Sequence, residues 1–273
     1  MSDRSRAVRW LSRVYGSLLQ RMRVREAHKR IQRRRPTMRG CELQELEPRL
    51  LLATTAANTT IGTFTGGDAN EGLDLDGKFV YAVNVNGPAV GPIRDASFTS
   101  SASTPGSNLF ASSLLSNFYT PNFGDSPNDN ALETVMQSIA YSGSPNTVRV
   151  TLANLTSGVD YKLQLLMGGP SFNNRRFDIY ANAGVKVKIV DDFNVTETQG
   201  GVTVPNRGTV VTYQFTASQS NLEFILDGSS PTVGDKTPIL NGFTLEQLTP
   251  VVTLGATVNA TEGFGYGSTI DGF

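Results

Sequence analysis

The chain has 273 residues, enough for one domain of about 180 residues or two smaller ones. Residues 1–40 hold 13 basic and two acidic residues (net +11), whereas the remainder holds 11 basic and 22 acidic residues (net −11). Cys41 is the only cysteine, which excludes an internal disulfide and an all-cysteine zinc site, and no run of about 18 apolar residues predicts a transmembrane helix. We expect the basic segment to meet anionic surfaces and the acidic body to repel nucleic acid.

The first segment, residues 1–53, is predicted to be a basic leader. Apolar residues recur there at helical spacing among arginines, at Val8, Leu11, Tyr15, Leu18 and Met22. This pattern predicts an amphipathic helix over residues 5 to about 32, ended by Pro36 and Gly40. Such a helix would contact an anionic membrane or export machinery, bind nucleic acid or act as a targeting signal. A solvated tail that is removed or disordered is the simpler alternative.

The following body has the pattern of an all-β fold. Residues 54–60 read as a linker, and the folded domain is predicted to span 61–248. Segments that alternate apolar and polar residues predict strands at 79–86, 147–155, 160–167, 175–182, 185–193, 209–217, 221–228 and 239–248. Short strands without helical segments between them favour an antiparallel sandwich or jelly roll over βαβ units.

Two segments interrupt this strand pattern. Residues 131–141 are ambiguous, because Leu132, Val135, Met136 and Ile139 have helical spacing. Residues 97–130 are rich in Ser, Asn, Pro and aromatic residues, and a loop of that length is usually functional or disordered.

The residue types of the body exclude several kinds of chemistry. The only histidine is His28, in the leader, so the body contains no Ser-His-Asp or Cys-His catalytic group and no histidine-ligated zinc. No Walker A sequence is present, and the Gly-Gly pairs are interpreted as turns. The remaining catalytic candidates are carboxylates, two of which would be needed to hydrolyse a glycoside.

Some of these carboxylates are candidates for a calcium site. Asp74 and Asp76 lie in the acidic segment 68–77, which lacks the glycine and glutamate spacing of an EF-hand loop. Asp191 and Asp192 follow an apolar strand, where one is expected to cap a turn and the other to bind calcium or a sugar hydroxyl. Ca²⁺ is therefore the one cofactor that the sequence suggests.

The junction between leader and body contains "LEPRLLLA", residues 46–53. It resembles the LEPR-XLL motif of large extracellular proteins of planctomycete-type bacteria, with matches at Leu46, Glu47, Pro48, Arg49, Leu51 and Leu52. The resemblance implies export to the cell surface or the exterior. The apolar run is shorter than an ordinary signal-peptide core, which leaves the export route open.

Two further resemblances cover residues 79–273. The order of "YAVNVNG", "DYKLQLLM", "NRRFDIYANAG" and "PILNGFTLEQL" within residues 79–248 resembles a malectin-like or galactose-binding-like module. It implies a jelly-roll β-sandwich that binds carbohydrate, and it favours a strand at 131–141. Residues 249–273 resemble the opening strands of an immunoglobulin-like repeat, as if a further domain began there.

The candidate sugar contacts lie in loops that combine aromatic and polar residues, because sugars are bound by aromatic faces and a few convergent polar groups. The first set is Phe118, Tyr119, Asn122 and Phe123, and the second is Phe172, Asn173, Asn174 and Arg175. Aromatic residues that fold back over a sheet edge, and a simple surface turn, are the respective alternatives. Asn84 and Asn86 are expected to pin a neighbouring loop.

The sequence thus predicts a non-enzymatic, exported carbohydrate-binding or adhesion module of a bacterial surface protein, with carbohydrate or a cell-surface glycan as partner. A structural surface domain without a sugar site is the main alternative. A glycan-processing enzyme is less favoured, and nucleic-acid binding is expected at most for the leader.

Overall fold

The computed structural model describes residues 54–143, 146–169, 175–201, 204–229, 231 and 234–248. The predicted leader, the LEPR-like motif and the segment 249–273 lie outside the described residues. Within these ranges, neither helix has the length and hydropathy needed to cross a bilayer.

The described residues form sixteen strands and two helices. In chain order they are β1 (Thr54–Thr55), β2 (Thr59–Phe64), β3 (Lys78–Asn84), β4 (Val90–Ile93), β5 (Ala96–Ser100), β6 (Ser107–Phe110), β7 (Ser113–Leu115), α1 (Pro127–Met136), β8 (Ile139–Tyr141), β9 (Thr147–Leu152), β10 (Asp160–Met167), β11 (Phe177–Asn182), β12 (Lys186–Phe193), α2 (Val195–Thr198), β13 (Gly208–Thr216), β14 (Leu222–Asp227), β15 (Ile239–Leu240) and β16 (Gly242–Gln247).

Two large sheets and one small sheet contain these strands. The seven-stranded sheet has the order β2-β13-β10-β16-β3-β5-β4, the six-stranded sheet β1-β12-β11-β14-β9-β6, and the small sheet β15-β8-β7. Neighbouring strands pair antiparallel, with β3 and β5 as the one parallel pair among them. Many neighbours are distant in sequence, because the chain crosses repeatedly between the sheets. The predicted all-β antiparallel sandwich is confirmed.

The inner faces of the two large sheets enclose the main hydrophobic core. Side chains of a strand alternate between its faces, so every second residue points into this core. In β10 these residues are Tyr161, Leu163 and Leu165, each at most 1% exposed. Phe224 of β14 meets Phe243 of β16 edge-on, with ring centroids 5.2 Å apart. The core therefore joins the centres of both sheets.

The outer face of the seven-stranded sheet is also covered. Loop 65–77, the β4–β5 hairpin and α1 pack over it and form a second core, which includes Leu73, Leu75, Ile93, Phe98, Leu132, Val135, Met136 and Leu166. The described part of the body consequently has three layers: the six-stranded sheet, the seven-stranded sheet, and this outer layer of loop and helix.

Polar contacts fix loop 65–77 to the sheet. The buried Lys162 Nζ donates to Asp74 Oδ2 at 2.5 Å and forms an ion pair with Glu246. Gln164 donates to the backbone oxygen of Asp74 at 2.6 Å and accepts from its backbone N–H at 3.2 Å. Burial acts to lower the pKa of Lys162, but its hydrogen bonds to the two carboxylates outweigh burial and raise it.

Helix α1 is fixed at both ends by side chains. Ser126 caps its N-terminus by accepting from the Asp129 N–H at 3.0 Å, with Pro127 at the first helical position. At its C-terminus, two fully buried asparagines donate to carbonyl groups that have no partner within the helix. Asn84 bonds to Thr134 O at 3.4 Å, and Asn241 bonds to Met136 O at 2.7 Å.

Asn84 also donates to Pro88 O at 3.0 Å in the next loop, and Asn86 donates to Ser116 Oγ at 3.0 Å. The predicted pinning of neighbouring loops by these two asparagines is confirmed.

The sequence and the structure differ in three segments. Residues 54–60 are not a free linker, because β1 pairs with β12 and β2 begins at Thr59. Residues 97–130 contain short strands and the start of α1 rather than one loop. For 131–141 the helical spacing is correct as far as Met136, and the strand favoured by the resemblance is present only at Ile139–Tyr141.

Candidate ligand-binding cleft and acidic cluster

A cleft opens where the parallel strands β3 and β5 separate. They pair only at Val83–Thr99 and Asn84–Ser100, near their C-terminal ends. Where the two strands separate, the Thr99 hydroxyl donates a hydrogen bond to the Ala82 carbonyl at 3.2 Å. If the strand pairing continued, a backbone N–H would donate to this carbonyl instead. The cleft has a volume of about 340 Å³ and is lined by Phe79, Val80, Tyr81, Ala82, Asp95, Ser97, Thr99, Thr104 and Pro105.

The cleft walls are fixed by hydrogen bonds to the surrounding backbone. Asp95 accepts from the Gly77 N–H at 2.9 Å, and its own N–H donates to Leu75 O at 3.0 Å. Thr104 donates to Ser100 O at 2.8 Å and lies 2.7 Å from the Thr99 hydroxyl oxygen. These contacts hold the carboxylate and hydroxyl groups in place before any ligand arrives.

One end of the cleft depends on a glycine. Gly106 has φ +79, and a Cβ there would lie 2.5 Å from the Tyr81 hydroxyl oxygen. Tyr81 in turn donates to Ala153 O at 2.9 Å. Glycine therefore lets the turn that carries Thr104 and Pro105 approach β3 closely enough to form a wall.

The residues that line the cleft combine aromatic, hydroxyl and carboxylate groups. The half-buried Phe79 offers aromatic surface, and Ser97, Thr99 and Asp95 offer hydroxyl and carboxylate groups, whereas Tyr81 is only 5% exposed. A glycosidase needs two carboxylates on either side of the scissile bond. Asp95 is the only carboxylate among the lining residues that the structure describes, so the two-carboxylate mechanism has no pair here.

A cluster of acidic residues lies in the outer layer. Carboxylate oxygens of Asp68, Glu71 and Asp129 lie within 4.8 Å of one another. Asp129 is 5% exposed, and its Oδ1 accepts from the Gly67 N–H at 2.9 Å. Gly66 allows the loop to approach, because a Cβ there would lie 2.0 Å from a Glu71 oxygen.

The cluster has the oxygen ligands that Ca²⁺ prefers. Within the described ranges, no lysine or arginine forms an ion pair with Asp68, Glu71 or Asp129. Hydrogen bonds from Asn128 and Ser126 hold the pKa of Asp68 below its usual value, so this carboxylate is ionised at neutral pH. Calcium binding stays a prediction, and these three residues are where the structure gathers suitable ligands.

The structure does not gather the four carboxylates predicted from the sequence as metal ligands. Each is ion-paired instead, as Asp74 with Lys162, Asp76 with Arg94, Asp191 with Lys188, and Asp192 with Arg176. The first two lie in the outer layer and the others on β12. A basic partner supplies the counter-charge that a metal would otherwise provide, and metal binding at these four positions stays a prediction.

The first set of predicted sugar contacts is mostly turned inward. Phe123 is 8% exposed and packs against Phe64, with ring centroids 5.5 Å apart. Phe118 and Tyr119 are half-buried and meet edge-on at 6.3 Å, and burial raises the pKa of Tyr119. Only Asn122 is exposed. Phe123 therefore packs in the core, as expected for an apolar ring, and sugar binding by the half-buried Phe118 and Tyr119 and by Asn122 stays a prediction.

The second set is only partly described. Phe172, Asn173 and Asn174 lie outside the described residues and stay predictions. Arg175 is largely buried and donates to Thr237 O at 2.9 Å, with Asp235 as its ion-pair partner. These contacts hold the guanidinium against residues 235–237 instead of directing it to solvent.

Two residues of the first set lie beside the end of β10. Rings of Phe118 and Tyr119 lie against Gly169 and Gly168, directly before residue 170. The cleft between β3 and β5 was missed from the sequence. Its signal was the alternation in "ASFTS" (96–100), which places Ser97 and Thr99 on the exposed face of a strand.

The comparisons with known proteins give structural similarity only. The sequence matches no established family and no curated protein. The extracellular domains of ANXUR2 and ANXUR1 from Arabidopsis thaliana are similar at 13% and 14% identity, with TM-scores of 0.48 and 0.44. The matches cover 70% and 69% of this chain but 55% and 54% of those domains, so the chain spans about half of their length.

A family 35 carbohydrate binding module from Clostridium thermocellum is also similar, at 16% identity and a TM-score of 0.30. That match covers 51% of this chain and 90% of the module.

Proposed function

We propose that the folded body is a non-catalytic carbohydrate-binding module of an exported surface protein, and that the cleft between β3 and β5 is its ligand site. The cleft itself is the observation that supports this proposal most directly. It combines aromatic surface with a fixed carboxylate and three hydroxyl groups in about 340 Å³. That volume is at the small end of ligand pockets and suits one or two sugar units.

Each kind of lining group has a role in sugar recognition. The half-buried Phe79 offers ring surface to the C–H groups of a pyranose. Asp95 keeps an oxygen available as a charge-assisted acceptor for hydroxyl groups, since one oxygen is used by Gly77. Ser97 and Thr99 lie on the exposed face of β5. The Ser97 hydroxyl adds a donor and an acceptor, and the Thr99 hydroxyl, which donates to the Ala82 carbonyl, adds an acceptor.

Export is supported by the resemblance of residues 46–53 to the LEPR-XLL motif. An extracellular location would bring the body into contact with polysaccharides and cell-surface glycans. A structural or adhesion domain without a sugar site is the alternative, since a sandwich fold does not by itself confer binding.

The test is binding of the purified full chain to a glycan array, in the presence of calcium and of chelator. Saturable binding to one class of sugar is expected. Ser97→Trp would fill the cleft from an exposed position on β5, and we expect it to abolish binding while the melting temperature is kept. Asp95→Asn is expected to weaken binding about tenfold, as for loss of a hydrogen bond to a charged group.

A matched control is Gln214→Trp, at an exposed position in a separate recess of about 220 Å³ lined by Asn58, Asp160, Gln214, Phe215, Thr216 and Leu248. This variant should bind as the wild type does. Loss of binding in Gln214→Trp with retention in Ser97→Trp would move the site to that recess. Absence of binding by folded wild-type chain would favour the structural alternative.

A further inference from the structure

Two hydroxyl groups in the cleft between β3 and β5 have no proton left to donate to a ligand. The Thr99 hydroxyl donates to Ala82 O at 3.2 Å. The Thr104 hydroxyl donates to Ser100 O at 2.8 Å, and its oxygen lies 2.7 Å from the Thr99 oxygen. Each hydroxyl has a single proton, so the pair has fewer protons than close contacts to fill. Both side chains can therefore only accept hydrogen bonds from a ligand.

The other polar side chains of the cleft also favour accepting. Tyr81 uses its hydroxyl proton on Ala153 O at 2.9 Å. Asp95 Oδ2 accepts from the Gly77 N–H at 2.9 Å, and among the described residues Asp95 Oδ1 has no hydrogen-bond partner. An ionised carboxylate is an acceptor only. Of the lining side chains that the structure describes, Ser97 alone keeps a hydroxyl proton for a ligand.

The charge of the cleft favours the same kind of ligand as its hydrogen bonds do. Asp95 is the only charged residue among the described lining residues, and residues 96–124 contain no charged side chain. The neighbouring Arg94 is ion-paired with Asp76, and Lys78, at the exposed start of β3, is not a lining residue. The lining therefore presents one negative charge and no positive charge to a ligand.

We propose that the cleft selects sugars that carry a free amino group, an inference that rests on the sugar site proposed above. An ammonium group donates three hydrogen bonds and accepts none, so it complements a lining rich in acceptors. Its hydrogen bond to the free oxygen of Asp95 is charge-assisted and roughly twice as strong as a neutral one. N-acetylation of the sugar removes this charge and leaves a single N–H donor.

The same features act against acidic sugars. A carboxylate or sulfate group only accepts hydrogen bonds, and it would lie beside Asp95 while the protons of Thr99 and Thr104 are already in use. Contact between like charges is unfavourable, and the net charge of −11 on residues 41–273 adds to the repulsion at low salt. Sugars with a carboxylate or sulfate group should therefore bind more weakly than neutral sugars of the same skeleton.

The test is calorimetric titration of the wild-type full chain with matched oligosaccharides in amino, N-acetylated, neutral and acidic forms, in the gluco and galacto series. At about pH 6 both the carboxylate and the sugar amine are charged. We expect the amino form to bind about tenfold more tightly than the N-acetylated form, and the acidic form to bind most weakly. Added salt should reduce the amino preference, because Asp95 is exposed to solvent.

Asp95→Asn should bring the ratio of amino to N-acetylated affinity to about 1, because the charge-assisted acceptor is lost. The matched control is Asp160→Asn, which removes the same charge from the separate recess that contains Gln214. This control should keep the wild-type ratio, because Asp160 does not line the cleft between β3 and β5.

The comparison of ligands on the wild-type chain does not depend on the folding of any variant. Equal or tighter binding of the N-acetylated or acidic form would overturn the amino-sugar inference and leave the cleft as a sugar site. An amino preference that persists in Asp95→Asn would also overturn it, because the charge would then be recognised elsewhere. Absence of binding for every form in both series would overturn this inference together with the sugar site on which it rests.

Discussion

The two faces of the seven-stranded sheet are buried by different means. On the inner face, Leu163 and Leu165 of β10 pack into a wholly apolar core against the other sheet. On the outer face of the same strand, Lys162 and Gln164 are buried under loop 65–77 through ion pairs and hydrogen bonds. The inner side chains of β10 thus lie in a core whose packing does not depend on pH or ions. Its outer side chains include charged groups whose interactions depend on both.

The two faces of the sheet therefore have different roles: the inner face provides most of the stability, and the outer face contains groups that can change state. Apolar burial is non-directional and fixes how the sheets pack. The outer layer has its own apolar core but adds a few charged groups whose charge state and geometry matter, and it carries the acidic cluster and the loop whose Gly77 N–H holds Asp95. We therefore expect perturbations of the inner face to unfold the body, and those of the outer face to change loop 65–77 and the cleft.

The largest effect is expected from the inner face. Phe224→Ala should lower the free energy of unfolding by about 3–5 kcal/mol, because it leaves a cavity beside Phe243. Urea denaturation followed by fluorescence or circular dichroism would measure it. The control is Phe110→Ala at low protein concentration, where loss of a 53% exposed ring should cost less than about 0.5 kcal/mol. Equal losses for the two variants would contradict the assignment of the core.

The next effect is expected from the ion pair of the outer layer. Lys162→Met should lower the free energy of unfolding by about 3 kcal/mol, because it leaves the largely buried Glu246 without its cation. The double variant Lys162→Met/Glu246→Leu should recover much of this loss. If the single variant is as stable as wild type, the ion pair contributes little and loop 65–77 is held mainly by Leu73 and Leu75.

The same pair predicts a pH dependence. The pKa of Lys162 is raised in the folded chain, so its contribution is complete below the unfolded value of about 10.4 and is lost as pH rises through the folded value. Stability should thus fall above about pH 10.4 in wild type. Denaturant melts between pH 8 and 11 should show a smaller fall in Lys162→Met.

The smallest effect is expected from calcium. If Asp68, Glu71 and Asp129 hold Ca²⁺, free ion at 100 times its dissociation constant should stabilise the body by about 2.7 kcal/mol, and chelator should reverse this. Asp129→Asn should remove the response, whereas Asp76→Asn, at a carboxylate paired with Arg94, should keep it. If only Asp76→Asn loses the stabilisation by Ca²⁺, the calcium site lies instead at Asp76, as predicted from the sequence.

Local alternation was sufficient to predict the long strands. β10 has the predicted bounds, 160–167, and β12, β13 and β14 lie within one residue of the predicted bounds at each end. Each of these strands alternates apolar residues toward a continuous core, which is the pattern that period-two reasoning detects. Strands β6 and β7 were missed because Ser and Asn dilute the alternation in segments of only three or four residues.

The candidate sites depended on contacts that no local pattern contains. The acidic cluster joins Glu71 to Asp129, 58 positions apart, and the cleft depends on a two-residue parallel pairing between β3 and β5. Lys162 lies 88 positions from Asp74, so the sequence could not reveal that this predicted metal ligand already had a cation. The contact between Phe123 and Phe64 likewise joins residues that are 59 positions apart, so no local pattern could predict it.

The strands at the two limits of the body would respond differently to mechanical tension along the chain. β1 is held to β12 by two residue pairs at a sheet edge, whereas β16 is bonded along its length to β10 on one side and β3 on the other. A force applied from the N-terminal side would detach Thr54–Thr55 first. The chain would lengthen by about 3.4 Å per detached residue, and both hydrophobic cores would stay intact. A force applied from the C-terminal side would have to break the hydrogen bonds of β16 to both neighbouring strands at once. We therefore expect the body to unfold in steps when pulled from its N-terminal end and in one abrupt step when pulled from its C-terminal end.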